Sequence, residues 1–123
     1  MFKSILTSLL LFVSVNLFAQ DYATDYHKVL DSSSKWMIVI SDSDRCHWCQ
    51  KLDAVLTQLD TSEVTVTKLH PNDPYAMQLV QMHELGGAIP QVYIYEARDR
   101  NFFLLRKFAG FKSRQEIQSF LNE

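Results

Sequence analysis

The sequence is sparing with the residues that hold small scaffolds together without a core: two Cys, three Gly and three Pro in 123 residues. Two cysteines cannot build a disulfide framework. So little Gly and Pro excludes collagen-like and low-complexity chains. Basic runs are also missing, and the formal charge is −2. That excludes a surface built to neutralise nucleic-acid phosphates. What the chain does have is 47% hydrophobic and 21% charged residues. Its length suits one domain, since domains cluster at roughly 100–150 residues. A core of that size forms without metal or several disulfides, which are needed mainly below about 40 residues.

The first nineteen residues stand apart. Met1-Phe2-Lys3 carries the only charge, and Leu9-Leu10-Leu11-Phe12-Val13 is the apolar heart of an otherwise uncharged stretch ending at Ala19. A short basic start, an apolar middle and a small residue at the end describe a secretory leader. Residues 1–19 are therefore expected to be a signal peptide, cut after Ala19, with the domain over residues 20–123. The stretch falls short of the ~20 apolar residues of a spanning helix and contains Ser14 and Asn16, so no stable membrane span is expected after processing. Removing Lys3 leaves 11 basic against 14 acidic residues, a net charge of −3. The expected location is the periplasm or the extracellular space, where disulfides form and persist.

Along the rest of the chain the hydrophobic period alternates between helix and strand. Tyr22, Tyr26, Val29 and Leu30 mark an amphipathic helix over about 21–32. Trp36-Met37-Ile38-Val39-Ile40 is a continuous apolar run, the pattern of a strand buried on both faces. Cys49, Leu52, Val55, Leu56 and Leu59 line one face of a helix over roughly 47–60. Residues 64–69 alternate and are β-branched, giving a strand. Strand, helix and strand make a βαβ unit with a right-handed crossover. A third helix over about 75–85 is expected to stop at Gly86-Gly87. Gln91-Val92-Tyr93-Ile94-Tyr95 and residues 102–108 form a hairpin, and Ser113 with Glu116 is a capping box opening the last helix. The pattern predicts one α/β domain with a mixed central sheet flanked by helices.

Cys46-His47-Trp48-Cys49 falls where the first strand's loop becomes a helix. Positions three apart share a helix face, so the two sulfurs can reach disulfide distance with little backbone movement. Cys46 at the helix N-terminus meets unpaired N–H groups and the positive end of the macrodipole, which favour a thiolate. Arg45 and His47 add positive potential. Cys49, one turn inside, is less exposed. This predicts Cys46 as the attacking thiol and Cys49 as the resolving one. Half of a zinc site is the first rival, but His27, His47, His70 and His83 are scattered without paired spacing, and a structural site wants four ligands. A structural disulfide is the second, but a bridge across three residues closes almost no loop and stabilises little. No metal and no cofactor are expected.

Over essentially all of residues 21–123 the chain resembles the thioredoxin-like superfamily. The resemblance rests on the CxxC after an apolar strand, on Val66-Thr67-Lys68-Leu69 with its lysine, on Ala88-Ile89-Pro90-Gln91-Val92, similar to the family's cis-proline loop, and on Phe108-Ala109-Gly110-Phe111. It implies a thioredoxin-like fold and thiol–disulfide chemistry on protein substrates. It also implies that Pro90 is cis and faces the cysteines, with the Ile89 backbone available to a substrate's extended chain. The departures are Arg45 before the first Cys, where thioredoxin has Trp, and His47-Trp48 where it has Gly-Pro. Counting six residues back from Cys46 puts Ile40 at the place of thioredoxin's buried acid. Trp48 is either an apolar contact for a partner or a cover on the cysteine pair.

The residues expected to carry function are thus Cys46 and Cys49, supported by Arg45, His47, Trp48, Lys68, Ile89 and Pro90. The leading expectation is a monomeric thiol–disulfide oxidoreductase of the cell envelope, acting on protein thiols or disulfides and exchanging electrons with a further redox protein. The alternative is a non-catalytic thioredoxin-fold chaperone or a module delivering a soft metal such as Cu(I). Whether the enzyme reduces, oxidises or isomerises depends on reduction potential and on the upstream partner, so the direction stays open.

Overall fold

The computed structural model describes the backbone of residues 17–123 and the side chains from Asp21 onward. Most of the leader expected over residues 1–19 lies outside these described residues. The elements run α1 (Leu17–Ser32), β1 (Lys35–Ile40), α2 (His47–Leu56), β2 (Val64–Leu69), α3 (Pro74–His83), β3 (Gln91–Arg98), β4 (Asn101–Ala109) and α4 (Arg114–Leu121). The strands form one sheet in the order β2-β1-β3-β4. β1 pairs parallel with β2, from Lys35 opposite Val64 to Ile40 opposite Leu69. Its other edge pairs antiparallel with β3, and β3 with β4. The mixed sheet follows from the connections: β1 to β2 needs a crossover helix, whereas β3 to β4 needs only a tight turn.

β1 is central, and Trp36 to Ile40 are all buried, which is why its sequence is apolar without alternation. Its side chains nevertheless alternate between two cores. Trp36, Ile38 and Ile40 join Val29 of α1, Ala76 and Leu79 of α3, Leu69 and Tyr93. Met37 and Val39 join Leu52 of α2, Ile117 and Leu121 of α4, Val92, Ile94 and Phe108. Helices α1 and α3 therefore cover one face of the sheet, and α2 and α4 the other. A short polar chain fastens α1 to the first face: the Trp36 indole N–H donates to Thr67 Oγ1 at 2.6 Å, and the Thr67 hydroxyl to Asp25 Oδ2 at 2.5 Å. Satisfying the buried indole this way avoids the penalty of an unpaired donor.

Helix ends depart from the sequence pattern in two places. α2 stops at Leu56, four residues before the expected end, although Leu59 is still buried in the turn that follows. α3 begins as its sequence suggests, with Asp73 capping the Tyr75 N–H and Pro74 in the first turn. It ends at Glu84, which takes the left-handed conformation at φ 57, two residues before the first glycine. The capping box on α4 is present, with Ser113 Oγ accepting the Glu116 N–H at 3.2 Å. The β3–β4 turn is made by Asp99 and Arg100, both at positive φ, as a two-residue hairpin turn of the primed type requires. Among the described residues no helix is long and apolar enough to cross a membrane.

Candidate active site

The site is assembled where β1 ends. The Ser41 N–H still donates to Leu69 O at 3.0 Å, and the chain then turns on Asp42, whose carbonyl accepts the N–H groups of Arg45 and Cys46 at 3.2 and 2.9 Å. This turn delivers Cys46 to the cap of α2 with extended backbone, φ −121 and ψ 114. There its sulfur accepts the Cys49 N–H at 3.1 Å. Ser, Asp or Asn oxygens usually play that part. With sulfur in their place, the helix aims its free donors at the atom that gains charge during thiol exchange.

Both cysteines are free thiols, Cys46 partly accessible and Cys49 fully buried. The Cys49 sulfur accepts the Asp42 N–H at 3.4 Å. Burial pushes the Cys49 thiol up to about 11, helped by the hydrogen bond with Cys46 and by nearby negative charge, Asp53 included, and opposed by the Asp42 N–H. The two sulfurs thus differ in access, one reachable and one enclosed, as an attacking and a resolving thiol require. Ile89 stands across from them: its carbonyl accepts from the Cys46 thiol at 3.8 Å, and the Ile89–Pro90 peptide is cis. Pro90 itself is buried, and its carbonyl accepts the Gly110 N–H at 2.8 Å. That bond brings the segment after β4 to the same end of the sheet.

Around Cys46 the surface is aromatic and basic. Trp48 is 51% exposed, with the Lys51 ammonium 4.8 Å from its ring and the Phe111 ring 6.1 Å away. His47 lies edge-on to Trp48 at 5.7 Å, and Arg45 is exposed beside Cys46. Lys68 is not part of this rim. It sits on β2 opposite Val39, beneath α2, with its ammonium 2.7 Å from Asp53 Oδ1. Ser43 donates to the other oxygen of Asp53. Burial works against the Asp53 charge, but Lys68 and Ser43 outweigh it and hold the carboxyl below its ordinary value.

Ile40 does not occupy the place of an acid facing the cysteines. It lies in the core beneath α1 and α3, on the opposite face of the sheet from α2. Because strand side chains alternate, it is Val39, seven residues before Cys46, that shares the α2 face with Lys68. The acid on this face comes from α2 itself, as Asp53. Its only sequence signal is the four-residue spacing from Cys49, which puts the two on neighbouring positions of one helix face. Phe111 likewise carries no local signal of a place in the site, since its contact with Trp48 joins separate segments.

Among the described residues no group of three or more His, Cys, Asp or Glu is placed to hold a metal ion. A cavity of about 580 Å³ opens at the other end of β1, between Lys28, Lys35, Glu63 and Glu96. It does not include either cysteine.

The fold is that of the thioredoxins. A thioredoxin from Thermus thermophilus superposes with a TM-score of 0.68 at 16% identity, over 82% of this chain and 81% of the other. Trichomonas vaginalis thioredoxin gives 0.64 at 14% identity, over 81% and 87%. Thioredoxin O2 from Arabidopsis thaliana, in its oxidised state, gives 0.62 at 13%, over 84% and 85%. No protein-family model and no curated relative matches the sequence.

Proposed function

We propose that this protein is a thiol–disulfide oxidoreductase of the cell envelope that acts on protein substrates. The observation that carries the reading is the asymmetry of the pair, with a reachable sulfur capping α2 above a fully buried one. In the reducing direction the Cys46 thiolate attacks one sulfur of a substrate disulfide. The substrate S–S bond breaks, a Cys46–substrate disulfide forms, and the other substrate sulfur leaves as a thiolate that takes up a proton. Cys49 then loses its proton and attacks Cys46 Sγ, which releases the second substrate thiol and leaves Cys46 and Cys49 as a disulfide. Run backwards, the same steps oxidise a dithiol. The reduction potential of the pair and its partner set the direction.

Two measurements test this reading. In the reduced protein, iodoacetamide is expected to alkylate Cys46 at least about a hundredfold faster than Cys49, because only a reachable thiolate reacts. The protein is also expected to catalyse the reduction of insulin by dithiothreitol. Equal labelling of the two thiols, with no turnover, would instead favour a non-catalytic chaperone or metal-delivery module.

The envelope assignment rests on the leader pattern of residues 1–19. Intact mass of the exported protein is expected to correspond to a chain beginning at Gln20. A mass that retains residues 1–19 would mean an uncleaved anchor.

A further inference from the structure

We propose that Gln91 is the positioning residue of the loop that meets the substrate: its buried carboxamide orients the Ile89 backbone toward Cys46. The proposal rests on the oxidoreductase reading above. Gln91 opens β3, is completely buried, and lies between Ile40 of β1 and Ala109 of β4. An uncharged polar side chain in such a place must find partners for every group it brings. Gln91 finds them in the preceding loop. Its amide nitrogen donates to Gly86 O at 2.6 Å and to Ala88 O at 2.9 Å, while its oxygen accepts from the Tyr93 hydroxyl. Both amide hydrogens are thereby used on one loop, and the carboxamide is held from behind by a ring that is itself fully buried.

At its two ends the loop is anchored by Leu85 and Ile89, which pack against the core beneath α1 and α3. Gly86, Gly87 and Ala88 are exposed and nearly without side chains, and Gly86 is at φ 82. Drawing the Ala88 carbonyl inward also dictates what faces out. Across a planar trans peptide the N–H points opposite to the C=O, so the Ile89 N–H is directed away from the core. No partner takes it among the described residues. The Ile89 carbonyl lies against the Cys46 thiol. Ile89 therefore offers a donor and an acceptor beside the attacking sulfur, the pair that an extended peptide uses to add as a strand. Fixing that pair before binding removes part of the ordering penalty of association. A small disulfide without a peptide backbone gains nothing from it. Gln91 is thus a determinant of preference for extended protein chains.

The test compares insulin with the small disulfide 5,5′-dithiobis(2-nitrobenzoate), using full-length protein. Gln91→Met keeps the length of the side chain and removes both donors. It is expected to lower the ratio of kcat/KM on insulin to the rate constant with the small disulfide about tenfold, mainly through KM. Tyr93→Phe leaves the ring in the core and removes only the brace on the carboxamide. It is expected to shift the ratio in the same direction by about threefold, and keeps the question decidable should the buried Met disturb the fold. A general loss of structure lowers both rates together and leaves the ratio unchanged. An unchanged ratio in a variant that keeps the wild-type rate constant with the small disulfide would overturn the assignment of Gln91 while leaving the oxidoreductase reading intact. Wild-type protein inert toward both disulfides would overturn the two together.

Discussion

Cys49→Ala is expected to stop the reaction halfway, with substrate held on Cys46 as a mixed disulfide, whereas Cys46→Ala is expected to form no such adduct. In both variants insulin turnover should fall to at most about a thousandth of wild type, since residues acting as one unit are not individually dispensable. The difference lies in what accumulates. Cys46 is partly accessible, with its thiol against the Ile89 carbonyl, so it still reaches a substrate sulfur when Cys49 is absent. Cys49 is fully buried, so it cannot take over the attack when Cys46 is absent. Non-reducing electrophoresis and mass spectrometry after incubation with an oxidised protein read the outcome directly. Adducts through Cys49 in the Cys46→Ala variant would reverse the assigned roles.

The second large effect is expected on pH. Once Cys46 is tied to the substrate, resolution waits on the Cys49 thiolate. The sign follows from the direction of the shift. A thiol pushed up to about 11 is almost wholly protonated near neutrality, and its thiolate grows as pH rises toward that value. The contributions of Cys46 as hydrogen-bond partner and as charge disappear in the mixed disulfide. Burial and the Asp53 charge remain, against the Asp42 N–H. Decay of the mixed disulfide in stopped flow is therefore expected to accelerate close to tenfold per pH unit between about pH 6 and 9, as the thiolate fraction does. A decay rate independent of pH would mean that proton loss from Cys49 does not limit resolution.

Asp53 is an acid whose charge acts on Cys49, yet its carboxyl is held below its ordinary value by Lys68 and Ser43. A proton leaving so weak an acid as Cys49 would move far uphill to reach such a carboxylate, so hydroxide is the expected acceptor, in keeping with an acceleration as pH rises. What Asp53 contributes is negative charge. Asp53→Asn removes that charge and leaves the Lys68 ammonium without its partner. The variant is expected to resolve the mixed disulfide about 3–10 times faster at neutral pH with the same pH slope, because a nearby positive charge favours the thiolate. A variant slowed tenfold or more would identify Asp53 as the proton acceptor. Ile40→Asp is not expected to accelerate resolution, since position 40 belongs to the core on the other face of the sheet.

Particular residues explain how much of this could be read before folding. The run from Trp36 to Ile40 announced a strand buried on both faces, and all five residues are buried in β1. Ser113 and Glu116 announced the start of α4 through a local rule, and that box is formed. Chain ends of helices were less legible. Gly86-Gly87 offered a sterically easy stop for α3, but the helix ends at Glu84, where Glu84 N–H bonds back to Val80 O at 3.1 Å in a left-handed cap. Leu59 fitted the apolar stripe of α2, and it is buried, but from the turn after the helix. Burial and helicity are separate properties, and a hydrophobic period reports only the first.

The alternation of helices and strands, the mixed sheet, and a cysteine pair at a helix start are written in the amino-acid order, because each follows from local period, spacing or capping chemistry. Which face of β1 looks at the cysteines is set by packing. A one-residue change in strand position moves a side chain to the other core, and counting back from Cys46 cannot see the turn on Asp42 that sets the phase. Packing also sets the company of the two sulfurs. Asp53 meets Lys68 across 15 residues, Ile89 meets Cys46 across 43, and Phe111 meets Trp48 across 63. Such pairs are made by packing the sheet's two faces and closing its loops, and no local preference of either partner encodes them.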